Sequence, residues 1–430
     1  MREVATAPRL SAVAAARLQI TAAWRALLPG LFLLGFNIGT GSVTAMAKAG
    51  ADYGMSLLWA ILVSCGVTGF LIDVYGRFAI FTGETALSAF RRHLHPAIGL
   101  FFVVALTVNV SGSVIGVMGI MADVTAAWLR EVFHVAVPAL ALAIGFSGLV
   151  CVLFWVGRMD FFQKALAVMV AVMGAAFVGN FFLLMPPAAE TVAGLVPRIP
   201  AAPVGDSHNP FMVIGSMVGT TVFSGLFILR PTLVKNAGWG RHDLPKQRRD
   251  AIVSASMMFL LSAAVMGSAA GTLHGRGVTL TETAQLVTLL EPVAGPAAVA
   301  LLVVGIVAAG LSSQFPNVLL GPWLWFDYRG SAPAMTRPGV RAFVIAISLL
   351  GLVVPLFHAR PVAVMVASQA FGALLLPATV ACILWIGNKR DVMGAHRFGA
   401  LSNVALVLVL GFAVVMSTAA LKGLASVLLG

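Results

Sequence analysis

Two short stretches of glycine and hydroxyl residues hold the groups best suited to binding chemistry: Gly39-Thr40-Gly41-Ser42 and Gly219-Thr220-Thr221-Val222-Phe223-Ser224-Gly225. Each lies inside a long apolar run. Glycine in a helix interior costs up to about 1 kcal/mol relative to alanine, so paired glycines beside hydroxyls predict a local unwinding. Unwound backbone frees amide N–H and carbonyl groups, which membrane protein tolerates only where they are buried or line a cavity. Gly39, Thr40, Gly41 and Ser42 with Thr221, Phe223, Ser224 and Gly225 are therefore the candidate substrate-binding residues. Asn109 and Ser113 in the third apolar run, the adjacent Ser312 and Ser313 in the eighth, and Arg230 are candidates for binding a coupling ion or lining its path.

Catalysis is not expected. There is no HExxH, Walker or GxSxG motif and no usable Ser–His–Asp order, and the eight histidines fall at loops or run ends. Cys65, Cys151 and Cys382 each sit in an apolar run with no metal or disulfide spacing. Asp73 lies four residues before Arg77 in the second run, a spacing that predicts a structural ion pair.

The elements that must position these groups follow from composition. The 430-residue chain is 60% apolar and 10% charged, with mean hydropathy +1.00; soluble domains carry about 45–50% apolar and about 25% charged residues. A soluble enzyme, a disordered chain and a nucleic-acid binder are excluded on that ground. Eleven stretches have the roughly 20 apolar residues that a spanning helix needs: 26–50, 55–80, 97–126, 136–157, 161–186, 209–237, 250–273, 292–320, 340–357, 362–388 and 398–421. With the N-terminus inside, 19 of the 27 basic residues fall in inside connections and six, Lys48 among them, outside; Arg77 and Arg230 fall within helices. Such a bias sets orientation. It predicts a multi-pass inner-membrane protein with a cytoplasmic N-terminus and an outside C-terminus.

Gly39 is 13 residues past Ala26, about 20 Å along a helix, and the second break is similarly deep in the sixth run. The two runs are five helices apart and so antiparallel. Matching breaks at that offset are the signature of an inverted repeat around a mid-membrane site. The expected division is a cytoplasmic segment 1–25, a first five-helix repeat 26–186, an extracytoplasmic loop 187–208, a second inverted repeat 209–388 and an extra helix within 389–430.

The residues that connect the first two runs, Ala49-Gly50-Ala51-Asp52-Tyr53-Gly54-Met55-Ser56-Leu57-Leu58-Trp59, resemble the NRAMP family of proton-coupled divalent-metal transporters. So do Leu28-Pro29-Gly30, Thr82-Gly83, Val114-Ile115-Gly116 and the stretch Gly305 to Ser313. The resemblance implies an all-α membrane protein of the LeuT type, about eleven helices in a five-plus-five inverted repeat with helices 1 and 6 broken. The departures fall on the chemistry. The family's Asp-Pro-Gly-Asn meets Gly39-Thr40-Gly41-Ser42, and its Met-Pro-His meets Phe223-Ser224-Gly225. Its further helix 6 histidine meets Arg230, and its helix 3 acids fall in the region Asn109 to Ser113, which has none. None of the family's metal-site side chains carries over, and no metal ligand is assigned.

The resemblance thus implies a secondary transporter of a divalent cation working by alternating access, without a cofactor, with H⁺ or Na⁺ as coupling ion. The lost carboxylate and methionine predict no tight Mn²⁺ or Fe²⁺ binding; Mg²⁺, which keeps its water, asks less of the protein. The alternatives are an ion-coupled symporter of a small organic acid or zwitterion, for which helix N-termini and Arg230 extending toward the inner vestibule favour an anion, and a non-transporting membrane sensor or assembly subunit. The partners expected are the lipid bilayer and the small substrate, with no nucleic acid. The sequence carries no signal of oligomeric state.

Overall fold

The computed structural model describes residues 39–156, 171, 174–175, 177–179, 181–182, 186–201, 210–287, 291–331 and 334–429. The lead-in 1–25, the first half of the first run and most of the fifth lie outside them. The described residues form helices joined by short turns, with no strand among them. Among the described residues nine helical spans, three of them made of two consecutive elements, are long and apolar enough to cross a membrane, which accounts for every expected run except the first and fifth.

In chain order the principal elements are α1 (Thr40–Tyr53), α2 (Leu58–Thr82), α3 (Pro96–Phe133), α4 (Ala139–Val156), α5 (Pro210–Thr221), α6 (Ser224–Asn236), α7 (Leu244–Thr272), α8 (Glu291–Arg329), α9 (Pro338–Leu350), α10 (Val353–Phe357), α11 (Pro361–Ala373), α12 (Leu376–Asn388) and α13 (Ala400–Leu429). Local chemistry sets several ends. α2 stops at Gly83 in the left-handed region, φ 68°, a conformation that costs glycine nothing. α3 starts with Pro96 at its first position and the His95 ring accepting from Ala97 N–H, which uses one of the unpaired amides of the first turn.

Burial ranks the helices by depth. The continuous pair α5–α6 has 94% of its most apolar window inside the protein, whereas α4 has 17% and α13 33%. The broken helix is therefore central and the other two face lipid, where apolar exposure is the norm. α1 packs against α7, and α3 packs against both α8 and α11.

Several helix ends differ from the sequence expectation: α3, α8 and α13 run on to Phe133, Arg329 and Leu429, and the ninth run divides into α9 and α10. Three differences bear on the site. α1 runs to Tyr53 rather than 50 and contains both Lys48 and Asp52, which are buried and paired at 2.6 Å. The assignment of Lys48 to an outside connection is thereby corrected: each charge is neutralised by the other, so the helix continues past the expected end and takes in an acid. α7 begins at Leu244, inside the expected basic connection, and buries Asp250. The tenth run is not one helix but α11 and α12. Leu374 and Leu375 close tight turns onto Phe371 and Gly372, and Pro377 in the first turn of α12 has no N–H to give back to Ala373.

Candidate functional site

α5 ends where Val222 N–H donates to Val218 O at 2.7 Å, and α6 begins with Leu226 N–H to Phe223 O at 3.0 Å. Phe223 between them is extended, φ −72° and ψ 115°. Gly39 is likewise extended at the start of α1, and Val43 N–H donates to its carbonyl at 3.1 Å. The first turns of α1 and α6 carry no side-chain cap. Close approach explains two of the glycines. A Cβ at Gly39 would run into the Ser313 hydroxyl of α8, and one at Gly219 into the carbonyl of Gln369 on α11.

Around these starts lies a small cavity of about 40 Å³. Gly39, Gly41 and Ser42 line it from α1, Asn109 and Ser113 from α3, Thr220 and Phe223 from the α5–α6 break, Ser313 and Asn317 from α8, and Met365 and Gln369 from α11. Val110 and Val117 complete the wall. Among the described residues no acid, base or histidine lines it. Its polar groups are linked: Gln369 Nε2 donates to Ser113 Oγ at 3.2 Å, Asn109 Nδ2 to Ser368 O at 2.9 Å, and the hydroxyls of Ser113 and Ser368 lie 3.3 Å apart. Asn109 and Ser113 thus join α3 to α11 at the cavity wall.

Of the residues expected at the site, the structure brings together Gly39, Gly41, Ser42, Asn109, Ser113, Phe223 and Ser313. The others stand behind the wall. Thr40 Oγ1 donates to Ile306 O at 3.3 Å, turned toward α8. Thr221 donates its hydroxyl to Met217 O, and its carbonyl accepts from Thr68 of α2 at 2.8 Å. Ser224 is fully buried, Gly225 lies against the Phe223 ring, and Ser312, like Ser313, donates to Ala309 O. Arg230 does not extend toward a vestibule. Its guanidinium is fully buried, 2.7 Å from Asp250 Oδ2, bonded to Gln247 and 5.3 Å from the Trp239 ring. The expectation that it offers a free positive charge to an anion is overturned, because Asp250 neutralises it.

Met365, Gln369 and Asn317, with the apolar Val110 and Val117, are the lining residues that sequence reasoning missed. Uncharged amides inside otherwise apolar runs were the available signal, and both Gln369 and Asn317 satisfy it. Met365 restores a thioether to the cavity from a different helix than the family resemblance implied. Its sulfur packs toward Gly116 of α3 and its methyl toward Gly41.

A helical membrane protein with two half-helices starting at one buried polar cavity has the architecture of an alternating-access carrier, and the comparisons agree. The family model described as natural resistance-associated macrophage protein-like (Nramp) matches residues 30–422; the chain belongs to the Nramp family. A protein of Acidiphilium cryptum named divalent metal cation transporter MntH is 24% identical over 381 residues, spanning 85% of this chain and 83% of that one. Among solved structures, the manganese transporter of Eremococcus coleocola superposes with a TM-score of 0.73 at 15% identity, covering 98% of this chain and 89% of that one. MhsT in complex with L-phenylalanine gives 0.62 at 14%, covering 92% and 98%. The shared fold is the LeuT-type five-plus-five inverted repeat expected from the paired breaks.

Proposed function

We propose that the protein carries a divalent metal cation across the cell membrane by alternating access, with the ion held in the cavity at the helix breaks and keeping part of its water. The observation that carries this reading is the size and lining of the cavity. At about 40 Å³ it exceeds the ~10–15 Å³ that a cavity needs to admit a water, so a small ion keeping part of its water fits among its polar groups. The oxygens of Asn109, Asn317, Gln369, Ser42 and Ser113 are hard donors of the kind that suit Mg²⁺, Ca²⁺ or Mn²⁺.

Mg²⁺ is the preferred probe, because it sheds water reluctantly and needs few protein ligands. Tight Mn²⁺ or Fe²⁺ binding is not expected, since the described lining residues include no carboxylate and the Met365 sulfur is engaged in helix packing. The buried Arg230–Asp250 pair removes Arg230 from the features that favoured an anionic substrate. The excess of basic residues in the inside connections supports a cytoplasmic N-terminus.

Uptake of Mg²⁺ and Mn²⁺ by purified protein in liposomes tests the assignment. Mg²⁺ uptake is expected, and Asn109→Leu and Gln369→Leu should each reduce it at least tenfold while leaving the melting temperature within a few degrees. Uptake of radiolabelled amino acids or small carboxylates, with no movement of either dication, would return the assignment to an organic solute.

A further inference from the structure

A groove between α12 and α13 shares no lining residue with the cavity at the helix breaks and is far larger, about 560 Å³ against about 40 Å³. Ala381, Leu384, Trp385, Asn388 and Lys389 line it from the end of α12, and Leu410 closes it from α13. The α12 residues recur at intervals of three and four, so they share one face of that helix. Leu410 is ten residues into α13, and Ala381 is seven before the end of α12. Those positions lie about 15 Å and about 10 Å along the axes, the depth of one leaflet in a core of roughly 30 Å. α13 has only 33% of its most apolar window inside the protein, and Trp385 is 64% exposed, so the groove opens toward lipid.

The two ends of the groove differ. Ala381, Leu384 and Leu410 make the deep end apolar. At the other end, Asn388 and Asn403 exchange amide hydrogen bonds at 2.8 and 2.9 Å, and Asn388 also donates to Leu384 O. Those amides are spent within the protein, so the polar group that the groove presents is Lys389. Its ammonium has three donors, and one goes to the His93 carbonyl just before α3. The connection 389–399 carries Lys389, Arg390 and Arg397 against the single acid Asp391, and both arginines are exposed. Trp385 stands one turn before Lys389 on the same face, at the level where tryptophan favours the boundary between membrane and water.

An apolar groove one leaflet deep that ends at a fixed positive charge matches a phospholipid in both shape and charge. From this match we propose that the groove binds one anionic phospholipid, with an acyl chain along Ala381, Leu384 and Leu410 and its phosphate at Lys389 and Arg390. Basic pockets between spanning helices hold anionic headgroups in this way. A zwitterionic lipid would bring its own ammonium to the same basic end and gain less there. A second copy of the chain meeting this face about a two-fold axis would set the same basic residues against each other, which favours the lipid as occupant. The site is independent of what the central cavity carries.

The test uses the full chain in nanodiscs of phosphatidylcholine to which brominated phosphatidylglycerol or brominated phosphatidylcholine is added, because bromine quenches tryptophan only at close range. The share of Trp385 is the difference in quenching between the parent protein and Trp385→Phe. The brominated anionic lipid is expected to half-quench that share at a mole fraction about fivefold lower than the zwitterionic one, the effect of one basic residue beside a charged headgroup. Lys389→Gln with Arg390→Gln should abolish the preference, and Lys389→Arg should keep it, since arginine also binds phosphate. Equal quenching by the two lipids in the parent protein, a comparison that needs no variant at the basic end, would overturn the proposal. So would a preference that survives the paired substitution. Quenching of Trp385 by neither lipid would overturn it as well, and a dimeric particle by light scattering in that case would assign the face to a second copy.

Discussion

Gly39 and Ser313 show how closely the first break is fitted to α8. A Cβ at position 39 would meet the Ser313 side chain and approach the Ala309 carbonyl. Gly39→Ala is therefore expected to lower uptake at least tenfold by pushing α1 off α8, and adding Ser313→Gly should restore a measurable part of it. A double variant as inactive as the single one would show that the contact is not the cause. The glycines and hydroxyls at the breaks were legible in the sequence because their types are out of place in an apolar run. The amides Asn317 and Gln369 were equally out of place, but nothing in the sequence says which face of α8 or α11 meets the cavity. The partners of Lys48 and Arg230 were not legible as a pair of sites. Whether a buried base is free or neutralised depends on contacts with residues up to 20 positions away, and Asp250 was expected at a helix edge.

Between elements, α2 serves the broken helices. Thr68 donates to Thr221 O at the end of α5, and Tyr75 donates to Thr379 O in the first turn of α12, 2.9 Å away. Each side chain satisfies a carbonyl near a point where the helical ladder is interrupted. Thr68→Val should leave the Thr221 carbonyl buried without that donor, at a cost of about 1–3 kcal/mol; Thr68→Ser should not. Thermal unfolding in detergent separates the two, and equal melting temperatures would show that the hydroxyl contributes nothing. The Arg230–Asp250 contact between α6 and α7 admits a similar comparison. Asp250→Ala strands a buried guanidinium and is expected to cost about 3–5 kcal/mol, whereas Arg230→Met with Asp250→Leu should cost far less. A double variant less stable than the single would count against that account. The break in the tenth run belongs to this scale as well. Gly372 and Pro377 are visible in the sequence, but a proline in a membrane helix often leaves it continuous, so only the packing reveals two helices.

At the scale of the molecule, the eleven-run reading makes a topological prediction. Cysteines introduced at Leu94 and Gly205 should be labelled from opposite sides of the membrane, position 94 from the cytoplasm; labelling of both from one side would show that a span has been miscounted. The helical architecture was legible because hydropathy and charge bias repeat along the whole chain, while the depth of each helix was not, since buried and lipid-facing helices are equally apolar. One contact bears on how such a molecule can move. Lys48 donates to Leu280 O and Asp52 accepts from Leu280 N–H, each at 3.0 Å, while the His274 ring meets Ala51 O at the same distance. The pair on α1 thus grips both backbone groups of one residue in the connection after α7, much as a neighbouring strand would. A hinge with two leaves pinned together has one degree of freedom rather than two. If α1 swings, the 273–280 connection swings with it, and that face of the carrier opens as a single door.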